Sequence, residues 1–144
     1  MAVVGFNFTR IEVEKKDNPK GNVNIRNNIV IKNVDKADIG FNNEKQSVVR
    51  FSFEFTSTYD PSIGNIILSG SLLYMESIKK IKEIFDNWKK DKKIEKELMT
   101  TLLNTILARC NVQALILSQD VNLPPPIPLP KVQINEPQSN SYIG

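Results

Sequence analysis

The segment from Ile94 to Pro130 constrains this chain most. A long apolar stretch with helical spacing runs into Leu123-Pro124-Pro125-Pro126-Ile127-Pro128-Leu129-Pro130 and must stop there. Proline lacks an amide hydrogen and pushes its predecessor out of helical geometry. Upstream, the apolar residues fall in two neighbouring rows, Ile94, Leu98, Leu102 and Ile106 in one and Met99, Leu103, Leu107, Cys110 and Ala114 in the other. A helix lying on one sheet buries a stripe of roughly 100°. Two rows therefore call for two partners, the second being another part of the chain or another copy of it.

Ahead of this helix the sequence alternates with a period of two. Val49, Phe51, Phe53 and Phe55 point one way while Arg50, Ser52, Glu54 and Thr56 point the other, a clear half-buried strand. Phe6 and Phe8 share one parity and Ile11 and Val13 the opposite, which predicts a bulge near Thr9 and Arg10. Lys16 to Gly21 is turn chemistry, followed by Val23, Ile25, Ile29 and Ile31 in an asparagine-rich strand. From Asp35 to Gln46 the pattern weakens, with Ile39 and Phe41 as apolar islands. A turn over Tyr59 to Asn65 leads to Ile66, Leu68, Gly70, Leu72 and Tyr74 on one face, with Ile67, Leu73 and Met75 on the reverse. That reverse face is expected to meet helix cover or another subunit. Ser77 is placed to cap a short amphipathic helix carrying Ile78, Ile81, Ile84, Phe85 and Trp88.

Four strands followed by two helices predict an α+β fold, a four-stranded antiparallel sheet with a short helix and a long C-terminal helix packed on it. At 144 residues the chain can build one two-layer core and not two, so residues 1–130 are expected to form a single domain. Residues 131–144 are too polar to pack alone and form an expected flexible tail. The proline run has two readings. Pro125 and Pro128 satisfy PxxP and suit a polyproline groove, but Lys131 is misplaced as a basic flank. The favoured reading is a stiff strap held on its own domain through Leu123, Ile127 and Leu129.

Composition narrows the function. With no histidine, the commonest general base and metal ligand is missing. A single cysteine beside it leaves no zinc set and no internal disulfide, so Cys110 is expected to be a small buried apolar residue in a reducing compartment. Gly64 and Gly70 have P-loop spacing, but Ser71 follows where lysine is needed. Neither an enzyme nor a metal or other cofactor is expected. No apolar run is long enough for a membrane span and the start lacks a signal-peptide pattern, which predicts a cytoplasmic protein without membrane insertion. Lysine is dense between Lys79 and Lys96, eight against the four acids Glu83, Asp86, Asp91 and Glu95. Such a run is usually a solvated face, and nucleic-acid binding stands as the lesser alternative.

The opening Phe6-Asn7-Phe8-Thr9-Arg10-Ile11, the central strands from Ser47 to Tyr74, and above all a long helix followed by Asn122-Leu123-Pro124-Pro125 resemble the SecB-type export chaperones. The last element resembles that family's Asn-Leu-x-Pro. The resemblance implies sheets that pair edge to edge in a dimer, and two dimers packed through their long helices into a homotetramer. It also implies ATP-independent binding of unfolded or non-native polypeptides, in protein export and translocation or in a toxin-antitoxin system. On this reading Leu98, Leu102, Leu103, Ile106, Leu107, Leu123 and Pro125 are the candidate peptide-binding or oligomer surface. The chain departs from the family where a second helix would follow; prolines stand there, so one groove wall is missing or replaced. A purely structural oligomeric subunit would have the same sequence features.

Overall fold

The computed structural model describes residues 2–37 and 46–130, so the expected tail and the islands Ile39 and Phe41 lie outside the described residues. The chain has the predicted α+β architecture: strands β1 (Ala2–Lys15), β2 (Asn24–Ala37), β3 (Gln46–Asp60) and β4 (Gly64–Ser77), then helices α1 (Ile78–Asp91) and α2 (Lys96–Asp120). The sheet is antiparallel throughout, in the order β1-β4-β3-β2, so β3 and β4 are central and β1 and β2 are the two edges.

The period-two pattern of the central strands sorts their side chains. Phe51, Phe53, Phe55 and Tyr59 of β3, with Ile66, Leu68 and Leu72 of β4, form the buried inner face. On β1 the register slips between Phe8 and Arg10, so that Phe8 opposes Gly70 while Ile11 opposes Leu68 and Val13 opposes Ile66. The extra residue at Thr9 is the predicted bulge, and it keeps Phe6, Phe8, Ile11 and Val13 on the same face. A second bulge between Ile31 and Asn33 does the same for β2, bringing Val34 opposite Phe51. Glycine is required at position 70. A Cβ there would strike the Asn7 carbonyl oxygen and stand 2.9 Å from the Phe53 ring, which occupies the space.

The reverse face is mostly polar and half-buried, with Ile67, Leu73 and Met75 partly covered. Its cations are paired, Lys32 with Glu54 and Arg50 with Asp35, each at 3.0 Å.

Both helices lie on the inner face. Ser77 caps α1 by accepting from the Lys80 amide at 3.4 Å, and Ile81 and Trp88, two turns apart, are its buried residues. Lys92, in left-handed geometry, ends the helix by donating its amide to the Trp88 carbonyl at 2.9 Å. Along α2 the buried line is Leu102, Ile106, Cys110, Ala114 and Leu117, all touching one core. This line passes from one predicted row into the other, because the three-residue step from Leu107 to Cys110 brings the second row onto the line of Leu102 and Ile106, and it ends at Leu117, outside both. The Arg109 guanidinium lies 4.8 Å from the centre of the Phe6 ring and covers part of the edge strand.

The end of α2 explains the Asn122-Leu123-Pro124 sequence. Asn122 takes left-handed geometry (φ 59°), its amide donates to the Gln119 carbonyl, and the Leu123 amide donates to the Ser118 carbonyl at 2.8 Å. This is a Schellman closure with asparagine in glycine's usual place, a buried leucine as its hydrophobic contact and proline to prevent continuation. Beyond it the chain is a strap. Leu123 and Pro126 are buried, Pro124 and Ile127 half-buried, Pro125 and Pro128 exposed. The three-residue repeat is that of an extended proline-rich helix. Two side chains fasten it: the Tyr59 hydroxyl donates to the Pro124 carbonyl at 2.6 Å, and the Asn27 amide donates to the Pro126 carbonyl at 2.8 Å. Leu129, expected to help hold the strap, is exposed.

Candidate functional site, two grooves beside the helix pair

The helices cover the centre of the sheet and leave grooves on both flanks. The first, of about 450 Å³, opens along β2. Its apolar lining is Ile29 and Ile31 from β2, Trp88 from α1, and Met99 and Leu103 from α2. Each is placed by its local pattern: the alternation of β2 turns both isoleucines inward, and Trp88 ends the apolar row of α1. Val30 and Lys32, which point to the other face of the sheet, line it as well. The groove therefore runs beside the strand's free edge and is not confined to one face. Outer-edge backbone groups of β2 have no strand partner among the described residues, and such an edge can take on another extended chain. Lys92 completes the rim, its ammonium 5.1 Å from the centre of the Trp88 ring.

The second groove, a crevice of about 260 Å³, lies between α1, the end of β4 and the start of α2. Tyr74, Ile84, Ile94 and Leu98 supply its apolar surface. Glu76, Glu83, Glu95 and Glu97 also line it, with Lys80 and Lys93. Burial first, then Glu76 and Glu95, push the Tyr74 phenol above its ordinary value, so it stays protonated at neutral pH.

A third apolar surface is the outer side of α2. Val112 is 60% exposed and Ile116 48% exposed, one turn apart on the same side. The helix has only four charged residues, Lys96, Glu97, Arg109 and Asp120; its exposed side is polar over Thr100, Thr101 and Asn104 and turns apolar at Val112 and Ile116.

The residues expected from sequence are dispersed over these surfaces. Leu103 lines the β2 groove and Leu98 the crevice. Leu102 and Ile106 are fully buried against the chain's own sheet, and Leu123 is buried beneath the strap. Leu107 packs half-buried against the core, and Pro125 is exposed on the strap's outer edge. Sequence reasoning did not single out Ile29, Ile31, Trp88, Val112 or Ile116 as site residues. The first three are visible as apolar positions, but only the strand order shows that β2 is an edge left open by the helices. Val112 and Ile116 fall outside both rows named above.

Among the described residues no helix is long and apolar enough to cross a membrane, and no acids and cysteine gather as a metal-binding group. Neither a scan against protein-family models nor a search of curated proteins finds a match. A search of solved structures does. One match is a Mycobacterium tuberculosis SecB-like chaperone, Rv1957, in complex with a ChAD peptide from the HigA1 antitoxin. The similarity covers 93% of this chain and 91% of that one, with a TM-score of 0.55 and 13% sequence identity. With the same order of strands and helices predicted from the sequence and found in the structure, the chain has a SecB-like fold.

Proposed function

We propose that this protein is a cytoplasmic, non-catalytic chaperone-like protein that binds non-native polypeptides without nucleotide, holding them in extended form along β2. The observation that carries this is the apolar groove running beside a strand edge with no strand partner among the described residues. Backbone hydrogen bonds to the edge are independent of the client's sequence, and alternate side chains entering the groove favour apolar residues. That combination suits a binder of many unfolded chains. The fold likeness supports the reading, since the neighbour named above is a SecB-like chaperone bound to a peptide. Protein export and toxin-antitoxin systems are both settings in which such binding is useful.

The same reading includes self-assembly into a dimer or a dimer of dimers. Edge strand β1 exposes Val3, Val4 and Ile11 and contains no proline, so each of its residues keeps an amide for edge pairing. The outer row of α2 offers a second contact.

The test is aggregation of an unrelated unfolded client, followed by light scattering with stoichiometric protein and no nucleotide. Wild type is expected to suppress scattering. Leu103→Asp, which places a charge in the groove at a half-buried position, is expected to lose most of the suppression while keeping the wild-type far-UV spectrum. Unchanged aggregation with wild type refutes the chaperone reading.

A further inference from the structure

We infer that the β2 groove selects extended segments whose apolar residues are flanked by acidic ones, an inference that rests on the peptide-binding reading above. Its lining holds two lysines and no acid. Lys32 is engaged with Glu54, but Lys92 sits on the indole at the groove's mouth, in contact with no carboxylate among the described residues. Lys96 lies one turn before Met99 on the same side of α2, so it extends the cationic rim. The pattern is wider than the groove. Among the described residues none of the eight lysines from Lys79 to Lys96 is in an ion pair, whereas Arg10, Arg26, Lys32 and Arg50 of the sheet are all paired. The helix pair thus keeps its lysines available, whereas on the strands only Lys15 and Lys36 are without an ion pair among the described residues.

The crevice on the other flank has the opposite character, with four glutamates against two lysines. A segment with basic flanks is repelled at the β2 rim and attracted to the other side of the helix pair. An acidic flank meets Lys92 and Lys96 in solvent, where neither charge has to be buried. Each such exposed pair changes affinity by roughly twofold to fivefold, so two flanking acids against two flanking lysines give a difference of about tenfold or more at low salt.

The experiment uses the full chain and three synthetic twelve-residue peptides with one alternating apolar core, flanked by glutamate, glutamine or lysine. Binding is followed by calorimetry and by fluorescence of Trp88, the only tryptophan and a groove residue. The glutamate peptide is expected to bind at least about tenfold more tightly than the lysine peptide, with the glutamine peptide between them. The gap should shrink at about 1 M salt, where the screening length is about 3 Å, and should reverse in a Lys92→Glu, Lys96→Glu variant. Equal affinities, or a preference for the lysine peptide, overturn the inference and leave the peptide-binding reading standing. Calorimetric binding of the glutamate peptide without a change in Trp88 fluorescence overturns it too, by placing the contact elsewhere. If no peptide binds and client aggregation is unsuppressed, both fall.

Discussion

Tyr59 joins the sheet to the strap and carries a pH dependence with it. Its side chain is buried and its hydroxyl must keep its proton to donate to the Pro124 carbonyl. Burial pushes the phenol from 10.0 to about 12, and burial also pushes the Cys110 thiol from 9.0 to about 12. In both cases the unfolded chain releases its proton at lower pH than the native chain. Stability is therefore unaffected by these groups below pH 9.0, then falls as pH rises through about 12. Urea unfolding across this range is expected to show the decline. Tyr59→Phe should lose about 1 kcal/mol at pH 7 through the missing hydrogen bond, and should decline less steeply than wild type at alkaline pH. An alkaline slope identical to wild type would contradict the assignment to Tyr59.

At the scale of elements, α2 shows what periodicity can and cannot disclose. Its existence, length and abrupt end were legible, because apolar spacing and the proline run act locally. So was the β1 bulge, since a change of parity between Phe8 and Ile11 has no other regular explanation. The division of labour around α2 was not legible. Leu102 and Leu103 are neighbours of one chemistry, yet one is core and the other lines a groove. That difference is set by the sheet beneath the helix, which sequence spacing does not describe. The termination of α2 makes a sharper prediction. Left-handed geometry costs an ordinary residue roughly 1–2 kcal/mol, so Asn122→Ala should lower stability by about 1 kcal/mol while Asn122→Gly leaves it unchanged or raises it. Thermal melts of the two variants compare them directly, and equal losses would mean that the geometry at this position is not the controlling factor.

For the molecule as a whole, one sheet buries only one side of α2. Val112 and Ile116, already about half covered, would together gain roughly 1.5–3 kcal/mol if a partner buried what is still exposed. Sedimentation is expected to show a dimer or larger species at micromolar concentration, and Val112→Asp with Ile116→Asp to shift it to smaller species with an unchanged far-UV spectrum. A wild-type monomer refutes self-assembly through this row. The strap bears on how any opening of the molecule can be observed. From Leu123 to Pro130 only Leu123, Ile127 and Leu129 possess backbone amides. Of these only Leu123 has a backbone acceptor among the described residues, the Ser118 carbonyl. In hydrogen exchange the strap is accordingly almost silent. Its release from Asn27 and Tyr59 leaves five prolines with nothing to exchange, so the event registers in the ring signals of Tyr59 and in one amide at the hinge.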